Sequence, residues 1–371
     1  MDRDALQREV DEWVREDIIT EDQAAAILSR YDDTGSDRSR SRAVLALTAV
    51  GAALVFAGIT LFLATNWNEL PTAAQVLVLL AGPGSAYAGG AFAYRRRIRR
   101  AGLALSLLGV VLSGPSLFLL ADIAPVDIAE TWVLLAWTAV ALSTGHALRS
   151  RVGIGVGLVL LAALLVDIAD PSDPMPIVAL SGVVLFALSN RYEGRIGWTY
   201  RTVGVGFVLF GLLALTTLDG RYHRFEIEVT ATFIALSIAA LAATAWMWTR
   251  GETHASGTST VALVAVGIGT AIAALAPETV PEAAAFVGVH LTALVAIGSI
   301  GYFGYRTGSR TFVDLAALGA LAQTLSFVAA TIVDSLSGSI ALVVAGIVLL
   351  SVGIALERGR RSILDRLGAD E

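Results

Sequence analysis

Long apolar runs separated by short polar segments make up most of the chain from Ala43 onward. The first run, Ala43 to Thr65, carries no charge. As a helix it would extend about 34 Å, enough to cross a hydrocarbon core roughly 30 Å thick. A second run, Thr72 to Tyr94, follows the segment ATNWNELP at 64–71. The two runs predict a pair of membrane-spanning helices joined by a short turn.

Ten further runs follow, and the charges between them alternate in kind. These runs are 101–121, 131–148, 152–168, 174–190, 198–218, 229–248, 259–276, 283–305, 311–333 and 337–356. Arginines occupy every second polar segment, and acidic residues dominate most of the others. The first arginine block, RRRIRR, consists of Arg95, Arg96, Arg97, Arg99 and Arg100 around one isoleucine. Because arginine-bearing segments are retained in the cytoplasm, the alternation predicts twelve spans with both termini cytoplasmic.

Uninterrupted apolar runs predict helices, since the strands of a membrane barrel would alternate apolar and polar residues. The fold class is therefore an all-α polytopic membrane protein. The runs 152–168 and 174–190 are close to the shortest length that spans a bilayer, so two spans and a re-entrant hairpin both remain open there. The predicted organisation is a cytosolic helical segment (1–36), a basic linker (37–42), a transmembrane domain (43–357) and a cytosolic tail (358–371).

The polar segment 1–36 shows helical periodicity in two short stretches. The apolar positions are Leu6, Val10, Trp13 and Val14 in the first stretch and Ala24, Ile27, Leu28 and Tyr31 in the second. Thr20 is placed to cap the second helix. The pattern predicts a helical hairpin with Trp13 between its arms. Such a hairpin would be either a cap on the membrane domain or a docking module for a protein partner.

The amino-acid composition excludes several kinds of functional site. The chain is 56% hydrophobic and 16% charged, and it contains no cysteine and no lysine. Disulfides, thiolate metal sites, phosphate-loop lysines and Schiff-base lysines are therefore excluded. The net charge of −6 without lysine is typical of proteins from high-salt organisms, although a GC-rich genome produces a similar bias. The acidic, polar N-terminus is unlike a signal peptide, and we expect a multi-pass protein of the plasma membrane.

The metalloprotease, intramembrane aspartyl and serine-hydrolase motifs HExxH, GxGD and GxSG do not occur in the chain. We therefore expect a protein that is not an enzyme, with no catalytic residue, no metal and no cofactor. Its expected partners are the lipid bilayer and, through residues 1–36, another protein, but not a nucleic acid.

Ionisable and strongly polar residues are rare inside the runs, which makes them candidates for function. His290 is the deepest, and Gln323 on the following run is its expected neighbour in depth. A histidine in a bundle either fixes helix packing through a hydrogen bond or relays protons or ions. Asp314 lies one turn into its run, where we expect an ion pair with Arg310.

Two runs contain Gly-Pro pairs, at Pro83 and Pro115. A proline inside a helix removes a backbone hydrogen bond, and unwound segments in paired helices can expose backbone groups to a solute. The alternative is that these pairs only permit bends or close packing, as Gly and Pro often do in membrane helices.

Structural roles explain most of the segment ATNWNELP. Its candidate residues are Asn66, Trp67, Asn68, Glu69 and Pro71. Asn68 or Glu69 can cap the second span, Pro71 suits its first helical position, and Trp67 lies where aromatic belts anchor at the interface. These roles explain the segment as a turn without any ligand.

A helical N-terminal segment, a span ending in Asn66-Trp67, a Pro-initiated second span and a basic block together resemble a known group. This group is the uncharacterised prokaryotic membrane proteins of domain-of-unknown-function family 2157. The C-terminal stretch SGSIALVVAGIVLLSVGIALERGRR (337–361) is similar to the family's ending. The family has no established activity, so the resemblance implies a polytopic membrane protein and no particular reaction.

Two functions remain open from the sequence. One is a solute or ion transporter, favoured by the twelve spans, the two proline-containing helices and His290. The other is a membrane scaffold or sensor whose N-terminal helices bind a partner. Beside these two, an accessory subunit of an envelope enzyme is a weaker third option.

Overall fold

The computed structural model describes most of the chain as helix. The described residues are 3–16, 18–24, 26–28, 54, 61, 65–169, 174–217, 230–279, 282–333, 343, 346–347, 350–354 and 357–361. Within these ranges every regular element is helical, so the all-α prediction is confirmed there. The chain forms two compact units, residues 1–75 and 76–371. The linker 37–42 lies outside the described residues, and the domain boundaries at 36, 42 and 357 stay predictions.

The N-terminal unit contains the predicted hairpin. Helix α1 is Arg3–Arg15, and residues 21–24 and 26–28 form a second helical stretch. Val10 and Ala24 are buried between the two arms. The side chains packed against them are Trp13, Val14, Ile19, Ile27 and Leu28. Trp13 thus lies where the spacing predicted it.

The second arm begins with a reciprocal cap. The backbone N–H of Gln23 donates to Oγ1 of Thr20 at 3.3 Å, and the backbone N–H of Thr20 donates to Oε1 of Gln23 at 3.0 Å. This capping box satisfies two backbone donors that a helix start leaves without partners. The prediction that Thr20 caps this helix is confirmed, and Gln23 completes the cap.

The turn before the first described long helix differs in detail from the prediction. Trp67–Glu69 form a short 3₁₀ turn, and helix α2 begins at Thr72. The carbonyl of Pro71 accepts from the N–H groups of Ala74 and Gln75, so Pro71 lies just before the helix and not at its first position. The side-chain amide of Gln75 donates to the carbonyl of Trp67 at 2.7 Å and closes the turn.

Ten helices follow one another between Thr72 and Val328, and each coincides with one predicted run. They are α2 Thr72–Arg95, α3 Arg99–Asp122, α4 Glu130–Ala147, α5 Arg151–Ala169, α6 Met175–Leu188, α7 Gly194–Thr217, α8 Ala231–Thr249, α9 Thr253–Thr279, α10 Glu282–Arg306 and α11 Arg310–Val328. A π-helical segment, Ala329–Val333, extends the last of them. Residues 343–361 are helical wherever they are described.

Eight of the helices in the described ranges are long and apolar enough to cross a membrane, and these are α2, α3, α5 and α7 to α11. Helix α6 is shorter, and α4 carries Glu130 and His146 at its two ends. The runs 43–65 and 337–356 lie largely outside the described residues. The count of twelve spans and the cytoplasmic position of both termini therefore stay predictions, and so does the choice between two spans and a re-entrant hairpin at 152–190.

The arginine-bearing turns share a tight backbone design. Arg97, Arg149 and Gly308 adopt positive φ angles of 62°, 48° and 65°, one in each of the turns after α2, α4 and α10. In all three turns the N–H of the next residue donates to a carbonyl five residues earlier, as in a Schellman motif. Consecutive helices thereby form antiparallel hairpins that turn at their arginine ends.

Glycines set the closest helix contacts within these hairpins. A Cβ on Gly182 of α6 would lie 2.6 Å from the carbonyl oxygen of Gly204 in α7, and a Cβ on Gly204 would lie 2.7 Å from that of Gly182. A Cβ on Gly145 would similarly lie 2.5 Å from the backbone nitrogen of Ile154. Small residues permit this approach, as is usual where membrane helices pack.

Candidate functional site

Polar side chains meet at one level in the interior of the second unit. We call this group the polar layer, and it consists of Thr216 (α7), Thr270 (α9), His290 (α10), Gln323 and Ser326 (α11), all buried. The layer contains both polar residues that the sequence singled out inside the apolar runs. It therefore defines the candidate functional site.

Thr216 joins α7 to α11. Its hydroxyl donates to the carbonyl of Leu213 at 2.7 Å. The same oxygen lies 3.3 Å from Oε1 of Gln323 and 3.3 Å from Oγ of Ser326. Gln323 is only 2% exposed, and its side-chain nitrogen Nε2 is buried without a hydrogen-bond partner. Oε1 of Gln323 and the carbonyl of Leu213 thus compete for the one hydroxyl hydrogen of Thr216, and both N–H donors of the amide are left over.

His290 lies about 12 Å along α10 from Glu282 and is 5% exposed. Its Nδ1 is 2.9 Å from the carbonyl oxygen of Phe286. Because a carbonyl only accepts, Nδ1 carries the hydrogen, and Nε2 of the neutral ring is then an acceptor. That atom is buried and has no partner.

Aromatic rings surround the imidazole and connect it to α11. The His290 ring lies 4.2 Å from Phe286 and 5.3 Å from Phe327, between ring centroids. Phe327 is one helical turn from Gln323, so His290 and Gln323 lie on adjoining helices within about a turn of each other. This arrangement agrees with the expectation that His290 and Gln323 lie at a similar depth. A functional role for the two residues stays a prediction.

Thr270 lies at the same level on α9. A Cβ on Gly269 would lie 3.4 Å from the Thr292 hydroxyl, and a Cβ on Gly288 would lie 2.8 Å from Ile272. The antiparallel register of α9 and α10 therefore places Thr270 opposite the turn that holds His290. The Thr270 hydroxyl is also buried without a partner.

A cavity of about 200 Å³ adjoins the layer between α7, α10 and α11. Its walls are Gly206, Leu209, Phe210, Leu212, Leu213, Ala293, Ile297, Leu315, Leu318, Gly319, Ala322 and Gln323. Gln323 is the single polar side chain among them. The unpartnered amide of Gln323 therefore borders an otherwise apolar space.

The two proline-containing helices are elsewhere in the bundle and stay helical through each proline. Pro83 lies within the continuous α2 and Pro115 within the continuous α3, so neither helix is unwound there. A Cβ on Gly114 would collide with the ring of Trp137, whose indole N–H donates to the carbonyl of Val110 at 2.9 Å. The Gly-Pro pair of α3 thus accompanies close packing against α4, as in the alternative of close packing that the sequence left open.

The remaining predicted residues lie at helix ends. Asn66, Trp67, Asn68, Glu69 and Pro71 form the turn before α2. Arg95, Arg96, Arg97, Arg99 and Arg100 are all exposed in the turn from α2 to α3. Their anchoring role stays a prediction.

Asp314 forms an ion pair with a partner that was not expected. Nε of Arg360 lies 2.6 Å from Oδ1 of Asp314, which fastens the C-terminal helical segment to the start of α11. The predicted partner Arg310 is close in sequence, but the pair that forms in the described residues uses an arginine 46 positions away.

Arg201 is a polar residue inside a span that the sequence reasoning did not single out. It lies seven residues into α7, and its guanidinium contacts Ser189 and Asn190 in the turn after α6. The available signal was a lone arginine within the apolar run 198–218. It was hidden by the neighbouring loop arginines Arg191 and Arg195, with which it is easily grouped.

Residues 11–154 match the model of a family described as Predicted membrane protein (DUF2157). This match confirms the resemblance to domain-of-unknown-function family 2157 from α1 to the start of α5. Together with the eight span-length helices, it is consistent with a multi-pass membrane protein. The similarity proposed for 337–361 stays a prediction, and the polar layer lies beyond the matched residues. Neither a curated protein nor a solved structure matches the chain.

Proposed function

We propose that this protein conducts a small, uncharged polar solute across the membrane, with the polar layer as its binding site. The observation that supports the proposal is the pair of unpartnered polar atoms, Nε2 of His290 and Nε2 of Gln323, together with the cavity of about 200 Å³ that Gln323 lines. Buried polar groups without partners are uncommon in folded proteins, and they are costly in apolar surroundings. A solute that supplies their hydrogen bonds would remove that cost.

The chemistry of the two atoms suggests the class of solute. Nε2 of His290 accepts a hydrogen bond, and Nε2 of Gln323 donates. A hydroxyl group both donates and accepts, so water and small alcohols fit this arrangement, as do small amides such as urea. The apolar walls of the cavity favour contact with the carbon atoms of such a molecule.

Charge argues against an ion as the cargo. The polar layer holds no carboxylate and no guanidinium. Among the described residues, no three His, Asp or Glu side chains lie together in a way that would hold a metal ion. An ion in this apolar interior would lose its hydration without a counter-charge, at a cost of several kcal/mol. We therefore favour a neutral solute over the ion that the sequence left open.

Stopped-flow light scattering on proteoliposomes tests the proposal. Water, glycerol and urea are the probes, and protein-free liposomes give the background. We expect faster equilibration with the wild-type protein for at least one probe. Gln323→Leu and His290→Leu should return the rate to background. Thr324→Val on the same helix should not, because its hydroxyl only donates to the carbonyl of Ala320.

Two outcomes would contradict this function. Wild-type rates equal to those of protein-free liposomes for all three probes would exclude conduction of this class of solute. Conduction that survives both Gln323→Leu and His290→Leu, but is lost in Pro83→Ala with Pro115→Ala, would move the path to the proline-containing helices.

The N-terminal unit supports a second candidate, a scaffold or sensor that binds a partner through residues 1–36. The hairpin has its own buried core and its own capping box, so its geometry does not depend on a ligand. At its turn Ile18 is 62% exposed, a large apolar side chain available for contact. Deleting residues 1–36 should release a co-purifying protein while solute flux persists. Loss of flux with no partner released would contradict the scaffold.

A further inference from the structure

Arg201 occupies an unusual position near the start of α7. It is seven positions after Gly194, so it lies about 10 Å along the helix axis. Its guanidinium carbon is 5.9 Å from the ring centre of Phe186 and 5.5 Å from that of Phe303. Both rings are buried, so the cation is held against the interior of the bundle rather than on its outer face.

One edge of the guanidinium is fixed. Nε donates to Oγ of Ser189 at 3.1 Å, and Nη2 donates to Oδ1 of Asn190 at 2.5 Å. Ser189 can accept because its own hydroxyl donates to the carbonyl of Phe186 at 2.6 Å. Gly197 permits this geometry, since a Cβ there would lie 2.7 Å from the carbonyl oxygen of Ser189.

The other edge is open. A guanidinium has five N–H donors, and two of them are used here. The Arg201 side chain is only partly buried, and none of its nitrogens is among the fully buried, unpartnered polar atoms of the described residues. Nδ2 of Asn190, on the same amide that accepts from Arg201, is buried without a partner. Two neighbouring side chains thus retain N–H donors that make no hydrogen bond.

The charge of Arg201 also lacks a direct counter-charge. Glu252 acts on it electrostatically, but no carboxylate among the described residues forms an ion pair with it. A partly buried cation without such a partner loses hydration, which two hydrogen bonds and two aromatic contacts restore only in part. An anion seated on the open edge would supply both the negative charge and the missing acceptors.

We propose that Arg201 and the side-chain amide of Asn190 bind an oxyanion of the phosphate class. The forked geometry of arginine suits two oxygens of one phosphate, and the two aromatic faces keep the guanidinium in position. The phosphate is either a free anion or part of a lipid headgroup. This site is independent of the proposed conduction of a neutral solute, because it lies near the opposite end of α7 from the polar layer.

Binding of inorganic phosphate to the full-length protein in a neutral detergent tests the site. Thermal unfolding is followed by tryptophan fluorescence at constant ionic strength, with chloride replacing phosphate in the reference. Phosphate should raise the midpoint for the wild type. Arg201→Gln should weaken the apparent affinity about tenfold or more. Arg195→Gln, an exposed arginine on the same helix, should leave it unchanged.

Two further variants separate binding from folding. Glu252→Gln removes the negative charge that acts on Arg201, so phosphate affinity should rise. Arg201→Lys keeps the charge but loses the fork, so it should fold and bind phosphate more weakly than the wild type. If Arg201→Gln fails to fold, these two variants still decide the result.

Nanodiscs distinguish the sources of the phosphate. If a headgroup is the ligand, phosphatidylglycerol discs should stabilise the wild type over phosphatidylcholine discs, and Arg201→Lys should reduce the difference. If free phosphate is the ligand, the shift should appear in neutral detergent alone. Equal phosphate shifts in the wild type, Arg201→Lys and Glu252→Gln, with no dependence on the lipid, would overturn the proposal. An equal loss of phosphate affinity in Arg195→Gln and Arg201→Gln would mean that phosphate responds only to surface charge, and this result would also overturn the proposal.

Discussion

The two ends of α7 bury polar groups in different ways. Near its last turn, Thr216 lies among neutral groups, and its neighbour Gln323 retains an unpartnered amide nitrogen. Near its first turns, Arg201 carries a full charge. That charge is held by the acceptors Ser189 and Asn190 and by two aromatic rings.

The difference follows from the cost of desolvation. A neutral hydroxyl or amide without a partner costs a few kcal/mol in an apolar interior, so a bundle can retain several such groups. A charge costs more, and the fold must surround it with acceptors and polarisable faces. The neutral end is therefore suited to a neutral guest, and the charged end to an anion.

The largest expected effect comes from the helix contact that lies between the two ends of α7. Gly204 lies between Arg201 and Thr216 along α7 and touches Gly182 of α6 through backbone atoms. Gly204→Leu should separate the two helices and cost about 1–3 kcal/mol or more through overpacking. Thermal unfolding in detergent measures the loss. Gly206→Leu is the matched control, since an added Cβ there meets nothing within 4 Å. Equal losses in the two variants would show that the close contact is not what matters.

The next effect concerns the charged end. Asn190→Ala removes an acceptor from Arg201 and should cost roughly 1.5–3 kcal/mol, the range for hydrogen bonds to charged groups. Asn190→Asp should instead stabilise the fold, because it supplies a direct counter-charge. The comparison of the two unfolding midpoints checks this prediction. A destabilised Asn190→Asp would mean that Arg201 already has the anionic partner it needs.

A smaller effect is expected at the neutral end. Thr216→Val removes the hydroxyl that connects Gln323 with Ser326. Polar contacts between membrane helices contribute roughly 0.6 kcal/mol on average, so a loss of about that size is expected. Thr202→Val on the same helix is the control, because its hydroxyl donates to the carbonyl of Trp198 in its own helix. Indistinguishable unfolding midpoints for the two variants would show that the polar layer does not contribute to stability.

The smallest effect is expected at the exposed ion pairs of the C-terminal segment. The side chain of Arg361 donates to Glu357 and holds the pKa of that carboxyl below its ordinary value. Because the pKa is lowered, the pair contributes fully to stability above the ordinary pKa of a glutamate carboxyl, and the contribution is lost as pH falls through the lowered pKa. The protection of the backbone N–H groups of residues 357–361 against hydrogen exchange should therefore fall only in that acidic range. Salt should weaken the same contact, and unchanged protection in Glu357→Gln would contradict it.

Local chemistry made much of the fold predictable. Ten apolar runs became ten helices, because span-length apolar segments must satisfy their backbone internally in lipid. Thr20 was recognisable as a cap for an equally local reason, since a threonine before a helix and a glutamine three residues later complete each other. The exact start of α2 beside Pro71 was not predictable, because helix starts depend on competing hydrogen bonds such as that of Gln75 to Trp67.

The candidate site was predictable only in part. His290 and Gln323 were conspicuous because such residues are rare in apolar runs. Thr216 and Ser326 were not, because serine and threonine commonly satisfy themselves within their own helix. Arg201 was missed through its nearness to a basic loop. The partner of Asp314 could not be read locally, since Arg360 is brought to it from a distant part of the chain.

The sequence by itself determined which segments are helical and how polar and apolar segments alternate, because hydropathy and helix capping act over a few neighbouring residues. Only the tertiary structure decided which helices adjoin. That choice depends on matched small surfaces such as Gly182 against Gly204, and on pairs far apart in the chain. It also decided that Thr216, His290 and Gln323 share one level while Arg201 faces Phe303 at the other end, since side chains on different helices meet only after the bundle has packed.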